Sequence, residues 1–551
     1  MANDRQKKDK SIKIKDMEFC ETLPSGHELK YWVLDAKAHT VSLEKCSTPI
    51  SGDLEIPATV THEGVTYTVT LIGAMAFNMC YYLTSVTIPD SVTNIGDYAF
   101  SGCSRLTNMT IPNSVTKIGE KAFESCSRLT SVTILDSVTE IGQESFRNCS
   151  ELTDINVSAS NNNYQSIDGM LYNKAGNMLI CCPTGKKGNM TIRDSVTKIG
   201  DLAFLSCSGL TSVTIPDSVT EIGQEAFGIC SGMTDINVSE SNTNYQSIDG
   251  ILYNKAGNML IRCPAGKKGN VAIPNSTITI RNFAFQSCSG LTSVTIPDSV
   301  STIGDFAFLS CSSLKSVTIP DSVSTIGDAT FQKCKGLKSV TIPNSVTTIG
   351  NTAFFYCSGL TSVTISDSTT HIGESAFSYC SRLTSITIPN SVTEIGGGAF
   401  SDCRRLTSVT IPDSVTEIGM NAFRNCNGLT CVTISNSVTH IEEATFCDCS
   451  GLTCVTIPDS VTTIGEGAFG NCSSLTDVTI GKSVTLIEEQ AFDRCKVLTS
   501  VTVKATTPPK IKYKNIFSVH DTLYVPMESV DLYKKAPHWN KFQHIIGVDF
   551  S

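Results

Sequence analysis

Cysteine is the residue whose number and spacing most suggest chemistry in this sequence. The chain contains 24 cysteines, and thiols can form disulfides, bind zinc or act as nucleophiles. Most of them recur in one register, 23 residues apart within each run. These are Cys80, Cys103, Cys126, Cys149, Cys207, Cys230, Cys288, Cys311, Cys334, Cys357, Cys380, Cys403, Cys426, Cys449, Cys472 and Cys495. A straight row does not supply the tetrahedral ligands that zinc needs, so we predict small buried apolar side chains, with scattered disulfides as the alternative.

Other cysteines lie outside that register. Cys431 and Cys454 occupy the same outward strand position one repeat apart, so they are predicted neighbours. A reversible disulfide between them and two exposed thiols are both open, and the second is favoured. Cys20 and Cys46 form a candidate bridge near the N-terminus.

The histidines show no catalytic arrangement. His371 and His440 share one repeat position but lie three coils apart, which corresponds to about 14 Å at the usual strand spacing. That separation is too large for a shared metal or a catalytic dyad. The chain also lacks GxSxG, HExxH, phosphate-loop and dinucleotide-binding motifs. We therefore predict no enzyme activity, no catalytic residue, no metal site and no cofactor.

The charge balance and hydropathy exclude further classes of protein. The net charge is −10 and the pI is near 5.4, which argues against nucleic-acid binding. No apolar stretch is long enough for a transmembrane helix. The charged start is not followed by the apolar segment of a signal peptide. The expected location is the cell surface or secretion if a signal peptide was removed, and the cytoplasm otherwise.

A repeat must position all these residues. Residues 83–105 read LTSVTIPDSVTNIGDYAFSGCSR, and residues 383–405 read LTSITIPNSVTEIGGGAFSDCRR. Val86 and Ile88 alternate with Thr87, which is the periodicity of a strand, and Pro89 ends it. Ala99-Phe100-x-x-Cys103 has a spacing suited to one short helical turn. A single coil cannot bury these apolar residues, but stacked coils can.

These observations predict a solenoid of stacked coils, and its Leu-x-x-Val-x-Ile strand resembles that of a leucine-rich-repeat solenoid. The expected fold is mostly β with short helical or 3-10 turns, in a right-handed stack with one continuous parallel sheet. The full string, with IPxSVxxIGxxAFxxC, closely resembles the BspA-like repeats of bacterial surface proteins, and the C-terminal segment resembles the tails of Bacteroidetes members. The resemblance is specific for the fold and weak for function, because repeats specify a scaffold and not a ligand.

The expected domains are an N-terminal tail and hairpin cap (1–53), the solenoid (54–503) and a C-terminal cap (504–551). Trp32 and Trp539 fall one in each end and are the expected lids. Two similar insertions, near 158–190 and 239–271, contain NYQSIDGMLYNKAGNMLICCPTGKKGN and NYQSIDGILYNKAGNMLIRCPAGKKGN. Each indicates a β-hairpin that stands off the solenoid.

Two surfaces are candidate binding sites. The concave strand face offers rows of hydroxyls, which include Thr84, Thr87, Thr292, Thr295, Thr407 and Thr410. These rows provide hydrogen bonds but few of the Trp, Tyr and Arg side chains that dominate interfaces. The insertions offer Tyr164, Tyr172, Tyr245, Tyr253, Lys186, Lys187, Lys267 and Lys268, although packing within the hairpins also explains the tyrosines.

The resemblance implies a non-enzymatic protein-binding scaffold, with adhesion to host matrix or cell-surface proteins as the expected role. An intracellular structural or interaction scaffold and a glycan-binding protein are the alternatives. A monomer without nucleic-acid partners is expected, because the caps should cover the sheet edges.

Overall fold

The computed structural model describes residues 18–45, 48–512, 516–517 and 521–550. The start of the predicted N-terminal tail, and Cys46 of the candidate bridge, lie outside the described residues. The chain forms two compact units, residues 1–246 and 247–551. Each unit is a β-solenoid of stacked coils, which confirms the predicted fold class.

The repeats contribute two kinds of strand, and within each segment of a ladder a strand pairs in parallel with its equivalent in the next coil. The first ladder contains the V-x-I strands, and the second ladder contains the short x-I strands. Both ladders are divided into segments, so the sheet is not the single continuous one that was predicted. In addition, the segment Val92-x-x-Ile95, which was recognised only as an apolar segment, contains the strand Asn94–Ile95 and so forms a second ladder.

In residues 1–246, the first ladder consists of Ser51–Glu55, Tyr82–Thr87, Asn108–Thr110, Ser131–Ile134, Asp154–Val157, Gly188–Thr191, Leu210–Ile215 and Asp235–Val238. The second ladder consists of Val65–Ile72, Asn94–Ile95, Lys117–Ile118, Glu140–Ile141, Met178–Cys181, Lys198–Ile199 and Glu221–Ile222. Further strands of the N-terminal cap are Glu18–Thr22, Glu28–Asp35, Thr40–Glu44 and Thr59–His62.

In residues 247–551, the first ladder consists of Lys268–Ala272, Gly290–Thr295, Ser316–Val317, Ser339–Thr341, Ser362–Thr364, Ser385–Ile386, Ser408–Thr410, Cys431–Thr433, Cys454–Ile457, Asp477–Ile480, Ser500–Val503, Thr522–Pro526 and His544–Val548. The second ladder consists of Met259–Arg262, Thr279–Ile280, Thr302–Ile303, Thr325–Ile326, Thr348–Ile349, His371–Ile372, Glu394–Ile395, Glu417–Ile418, His440–Ile441, Thr463–Ile464, Leu486–Ile487 and Lys510–Ile511.

The A-F-x-x-C segment is a run of β-turns, and the prediction of a helical turn there is wrong. The Ala99 amide donates to the Gly96 carbonyl at 3.3 Å, and Tyr98 has a φ of +56°, which a helix does not allow. The Phe100 amide donates to the Ala122 carbonyl of the next coil at 2.8 Å. Bonds between coils therefore replace the i→i−4 bonds of a helix. Among the described residues, the helical segments are Met527–Ser529, Val530–Lys535 and Trp539–Lys541.

The core of each coil consists of the side chains predicted to point inward. All the registered cysteines are buried, as predicted. The phenylalanines stack from coil to coil, and the rings of Phe377 and Phe400 are 5.5 Å apart with 3° between their planes. Each solenoid is therefore held by contacts between neighbouring coils.

The two ends differ in how they use tryptophan. Trp539 is 1% exposed, and its indole Nε1 donates to the Pro509 carbonyl at 3.0 Å, so it is part of the core at the C-terminal end of the chain. Trp32 is only half-buried. The side chain of Tyr31 is fully buried there instead, because alternate residues of a strand face opposite sides.

The insertions contain antiparallel strands, with bounds Tyr164–Ile167, Met170–Asn173 and Met178–Cys181 in the first and Tyr245–Ile248, Ile251–Asn254 and Met259–Arg262 in the second. Met170–Asn173 pairs antiparallel with Met178–Cys181, but Met178–Cys181 also pairs in parallel with Lys198–Ile199. The hairpin is thus part of the second ladder and does not stand off the solenoid. Leu179 is buried, which supplies the apolar contact that holds it there.

Candidate functional site

The predicted hydroxyl face is partly used for internal hydrogen bonds. Thr407 Oγ1 donates to the carbonyl oxygen of Thr384 in the preceding coil at 3.2 Å. Thr84 Oγ1 donates to Asp53 Oδ1 at 2.7 Å, and the equivalent Thr292 Oγ1 bonds to an asparagine amide oxygen at 3.0 Å. The second row, with Thr87, Thr295 and Thr410, is exposed. This face therefore presents fewer available hydroxyls than the sequence pattern indicates.

The insertion tyrosines pack against the solenoid. Tyr172 and Tyr253 are buried, and burial raises the pKa of Tyr172 to about 12. Tyr164 and Tyr245 are half-buried, and their hydroxyls donate to main-chain carbonyls of the preceding coil, at 3.2 and 3.4 Å respectively. The four rings thus fix the insertions in place and leave little area for a ligand.

The lysines of the insertions remain at the surface. Lys187 and Lys268 are exposed, and Lys186 and Lys267 are half-buried. Lys186 Nζ lies 3.7 Å from Asp154 Oδ1. The buried rings of Tyr172 and Tyr253 cannot share a ligand with these lysines.

The registered thiols are buried in the core, and their surroundings indicate a structural role. Cys357 Sγ, for example, donates to the carbonyl oxygen of Phe331 at 3.1 Å, and burial raises its pKa to about 12. A neutral, buried thiol is a poor nucleophile. Cys431 and Cys454, by contrast, are exposed free thiols, and their strands are paired in register at Thr433 and Thr456.

A further recess in residues 247–551 lies between the second ladder and the β-turn row. This recess, here called the groove, has a volume of about 1260 Å³. Its first wall is the outward row His371, Glu394, Glu417 and His440, one residue from each of four successive coils. His371 pairs in register with Glu394, and Glu394 with Glu417. The His371 Nδ1 atom lies 3.2 Å from Glu394 Oε2.

The opposite wall includes an exposed aromatic cluster. Tyr356 and Tyr379 are each 39% exposed, and their ring centroids are 5.4 Å apart. Phe355 packs edge-on against Tyr379 at 5.5 Å, and Phe355 and Tyr379 line the groove. Exposed aromatic rings of this kind are frequent anchors in protein interfaces.

Three consecutive glycines form the floor of the groove. Gly396 is required for the close approach of coils, because an added Cβ would lie 2.6 Å from the Glu374 amide nitrogen. At Gly397 the nearest atom to an added Cβ is the Met420 carbonyl oxygen at 3.4 Å, so packing does not require glycine there. The neighbouring coils carry Glu374 and Met420 at that position. The missing side chains thus open a notch between two coils.

The groove is strongly acidic. The carboxylates that line it are Glu374, Glu394, Asp402, Glu417, Glu442 and Asp448, and Arg424 is its one lysine or arginine. Arg424 Nε lies 3.5 Å from Asp448 Oδ2. The pKa of Asp448 is lowered: partial burial opposes the shift, and hydrogen bonds from Asn471 and Cys447 outweigh it. The groove therefore presents negative charge beside aromatic surface.

Sequence reasoning compared His371 only with His440 and missed the carboxylates between them. A signal was available, because EIGGGAF at 394–400 is the coil in which glycine occupies three successive positions before Ala-Phe.

Two further findings limit the chemistry of the described residues. No three His, Cys, Asp or Glu side chains among them are grouped so as to hold a metal ion. None of the helices in the described part of the chain is long and apolar enough to span a membrane.

Comparison with known proteins identifies the repeat. The model of the BspA type leucine rich repeat region matches residues 65–176, 184–253, 267–384 and 370–499, with six copies. A leucine rich cell surface protein from Faecalibacterium prausnitzii is 32% identical, with 75% of this chain and 94% of that chain covered and a TM-score of 0.39. A leucine-rich repeat protein from Bacteroides ovatus is 24% identical, with 94% and 99% covered and a TM-score of 0.41. No curated protein matches the sequence.

Proposed function

Because this chain belongs to the BspA-type leucine-rich-repeat family, we propose that it is a non-enzymatic protein-binding scaffold on a bacterial cell surface that serves in adhesion or host interaction. The Faecalibacterium relative is described as a cell surface protein, which supports this location. The registered thiols are buried and the described residues show no metal-binding group, so the surface, and not a reactive centre, is the expected working part.

The observation that carries the proposal is the groove in residues 247–551. The outward face of the first-ladder strands presents mainly small hydroxyls, which contribute little binding energy. The groove combines the exposed ring of Tyr379 and the half-buried ring of Phe355 with a row of carboxylates and three consecutive glycines. At about 1260 Å³ it exceeds the roughly 300–1,000 Å³ of small-molecule sites. Its size and chemistry therefore suit a segment of a protein partner.

The test is a binding screen with the whole chain. Purified protein is applied to immobilised host matrix proteins and to a glycan array, beside a Tyr356→Ala/Tyr379→Ala variant. Both rings are partly exposed, so their removal should leave folding intact. We expect saturable binding to at least one matrix protein, weakened about tenfold or more in the variant, as for interface anchors. Binding to glycans alone, lost in the variant, would favour the glycan-binding alternative.

A second candidate, the intracellular scaffold, is favoured by one observation. The registered cysteines other than Cys230, and the exposed Cys20, Cys431 and Cys454, are free thiols, and such thiols persist best in a reducing compartment. Localisation by surface biotinylation of the producing cells distinguishes the two. Labelling of the chain on intact cells supports the surface proposal, and labelling only after lysis supports the scaffold inside the cell.

A further inference from the structure

The negative charge of the groove is not balanced by the basic side chains that line it. Glu394 and Glu417 are register partners on adjacent parallel strands, which are about 4.8 Å apart. Like charges placed directly opposite destabilise a sheet. His371 contacts Glu394, but the groove contains no lysine and its arginine is next to Asp448.

In residues 1–246, glutamates at the same strand position are paired with lysines. There the Lys117 ammonium lies 2.8 Å from the Glu140 carboxylate, and that of Lys198 lies 2.6 Å from Glu221. Both pairs are register partners in the second ladder. Glu140 and Glu221 thus each have a lysine on the preceding coil, whereas Glu417 follows another glutamate.

From these contacts we propose that the groove binds an extended basic segment of a protein partner, with a lysine or arginine side chain seated in the notch at Gly397 between Glu394 and Glu417. This inference rests on the proposed protein-binding function and names the chemistry of the partner. The partner's cation takes the place that Lys117 and Lys198 occupy in residues 1–246.

The shape of the groove agrees with such a segment. Its walls extend from the coil of Asn351 to that of Asp448, which is about 19 Å at the usual strand spacing. An extended chain rises about 3.3 Å per residue, so roughly six residues fit. Tyr379 and Phe355 line the groove on the wall opposite the acidic row, and an aromatic face attracts a cation. A neutral glycan would use the rings but gain nothing from the paired carboxylates.

The experiment measures fluorescence anisotropy of a labelled hexapeptide of alternating glycine and arginine, titrated with the whole chain. A hexapeptide with glutamine in place of arginine is the neutral probe. Glu394→Gln/Glu417→Gln removes the paired carboxylates. Glu140→Gln/Glu221→Gln is the matched control, because it removes the same charge at the same strand position outside the groove.

A second variant fills the notch without changing charge. Gly397→Asn is expected to fold, because Asn351 occupies the equivalent position and its Oδ1 accepts the Glu374 amide at 2.8 Å. We expect the arginine probe to bind saturably, and Glu394→Gln/Glu417→Gln to weaken it about tenfold, as close charge pairs do. Gly397→Asn should weaken it about fivefold through exclusion of the side chain, and the matched control by less than about twofold.

Three results would overturn the inference: no binding of the arginine probe, equal binding of the glutamine probe, or equal weakening in the matched control. These failures are separable from failure of the proposed function. A matrix protein that loses binding in the groove variants, yet is not displaced by the arginine probe, leaves the scaffold proposal standing and removes the basic-segment inference. A matrix protein that is displaced by the arginine probe supports both.

Discussion

Removal of one ring from the phenylalanine stack should weaken the solenoid locally and strongly. Phe400 is fully buried, and its ring centroid lies 5.5 Å from that of Phe377 and 5.3 Å from that of Phe423. Phe→Ala in a core costs about 3–5 kcal/mol. Because Phe400→Ala removes two stacked pairs at once, each worth about 0.5–1.5 kcal/mol, the upper part of that range is expected.

Hydrogen exchange measured by mass spectrometry is the suitable assay, because a long repeat array need not unfold in one step. The informative amides donate hydrogen bonds to carbonyl oxygens of the next coil. The Phe377 amide donates to the Ala399 carbonyl and the Phe400 amide to the Ala422 carbonyl, both at 2.8 Å. A loss of about 4 kcal/mol corresponds to a nearly thousandfold fall in protection, at 1.4 kcal/mol for each factor of ten. Stability in a solenoid is a sum of neighbour interfaces, so the effect should decline within a few coils.

The matched control is Tyr356→Ala, because that ring is 39% exposed and lies outside the stack. It should change protection by less than about tenfold, as a surface substitution does. The reasoning is refuted if Phe400→Ala lowers protection in residues 371–423 by less than tenfold, or lowers it equally in residues 268–320.

Three further predictions concern thiols, pH and glycine. Iodoacetamide mapped by mass spectrometry should modify the exposed Cys20, Cys431 and Cys454 rapidly and the buried ladder only after denaturation; rapid modification of Cys380 would contradict the assigned burial. Burial raises the pKa of Cys149, Cys357 and Cys449 from 9.0 to about 12, so the folded state retains protons that the unfolded state loses. The contribution of these thiols to the free energy of unfolding is complete below pH 9 and falls between pH 9 and 12, by about 1.4 kcal/mol per pH unit for each thiol. Thermal melts followed by circular dichroism should therefore show a Tm that declines over this range. A constant Tm up to pH 11 would contradict the raised pKa values. Gly419→Ala should lower the free energy of unfolding by about 1–3 kcal/mol through overpacking, because the added Cβ would lie 2.4 Å from the Gly397 amide nitrogen. Gly397→Ala is the control and should leave the Tm unchanged in the same thermal melt. Equal Tm values for the two variants would contradict this account of the coil spacing.

The inward-facing half of the molecule could be predicted from sequence, and the outward-facing half could not. Phe100 and Cys103 were placed correctly in the core because every copy must fill the same space. The form of the segment between Ala99 and Cys103 was not, because the spacing of a turn run resembles one turn of a helix. Positive φ at Tyr98 and the bonds between coils decide in favour of turns.

The candidate site shows the same division. Thr407 was predicted on the strand face but lies just before the strand Ser408–Thr410, and its hydroxyl donates to the Thr384 carbonyl, a contact between residues 23 positions apart. Tyr172 was a candidate ligand and is buried, because the insertion joins the second ladder.

The sequence by itself determined the solenoid, since a 23-residue repeat of inward apolar positions leaves stacked coils as the way to bury them. Only the tertiary structure decided where the surface forms a groove and where acidic side chains gather. His371, Glu394 and Glu417 become neighbours when the coils stack in register, and Gly397 becomes a notch only because Glu374 and Met420 rise on either side of it. Outward residues are under no common packing constraint. The surface that they form therefore depends on neighbours that lie 23 residues away in the sequence.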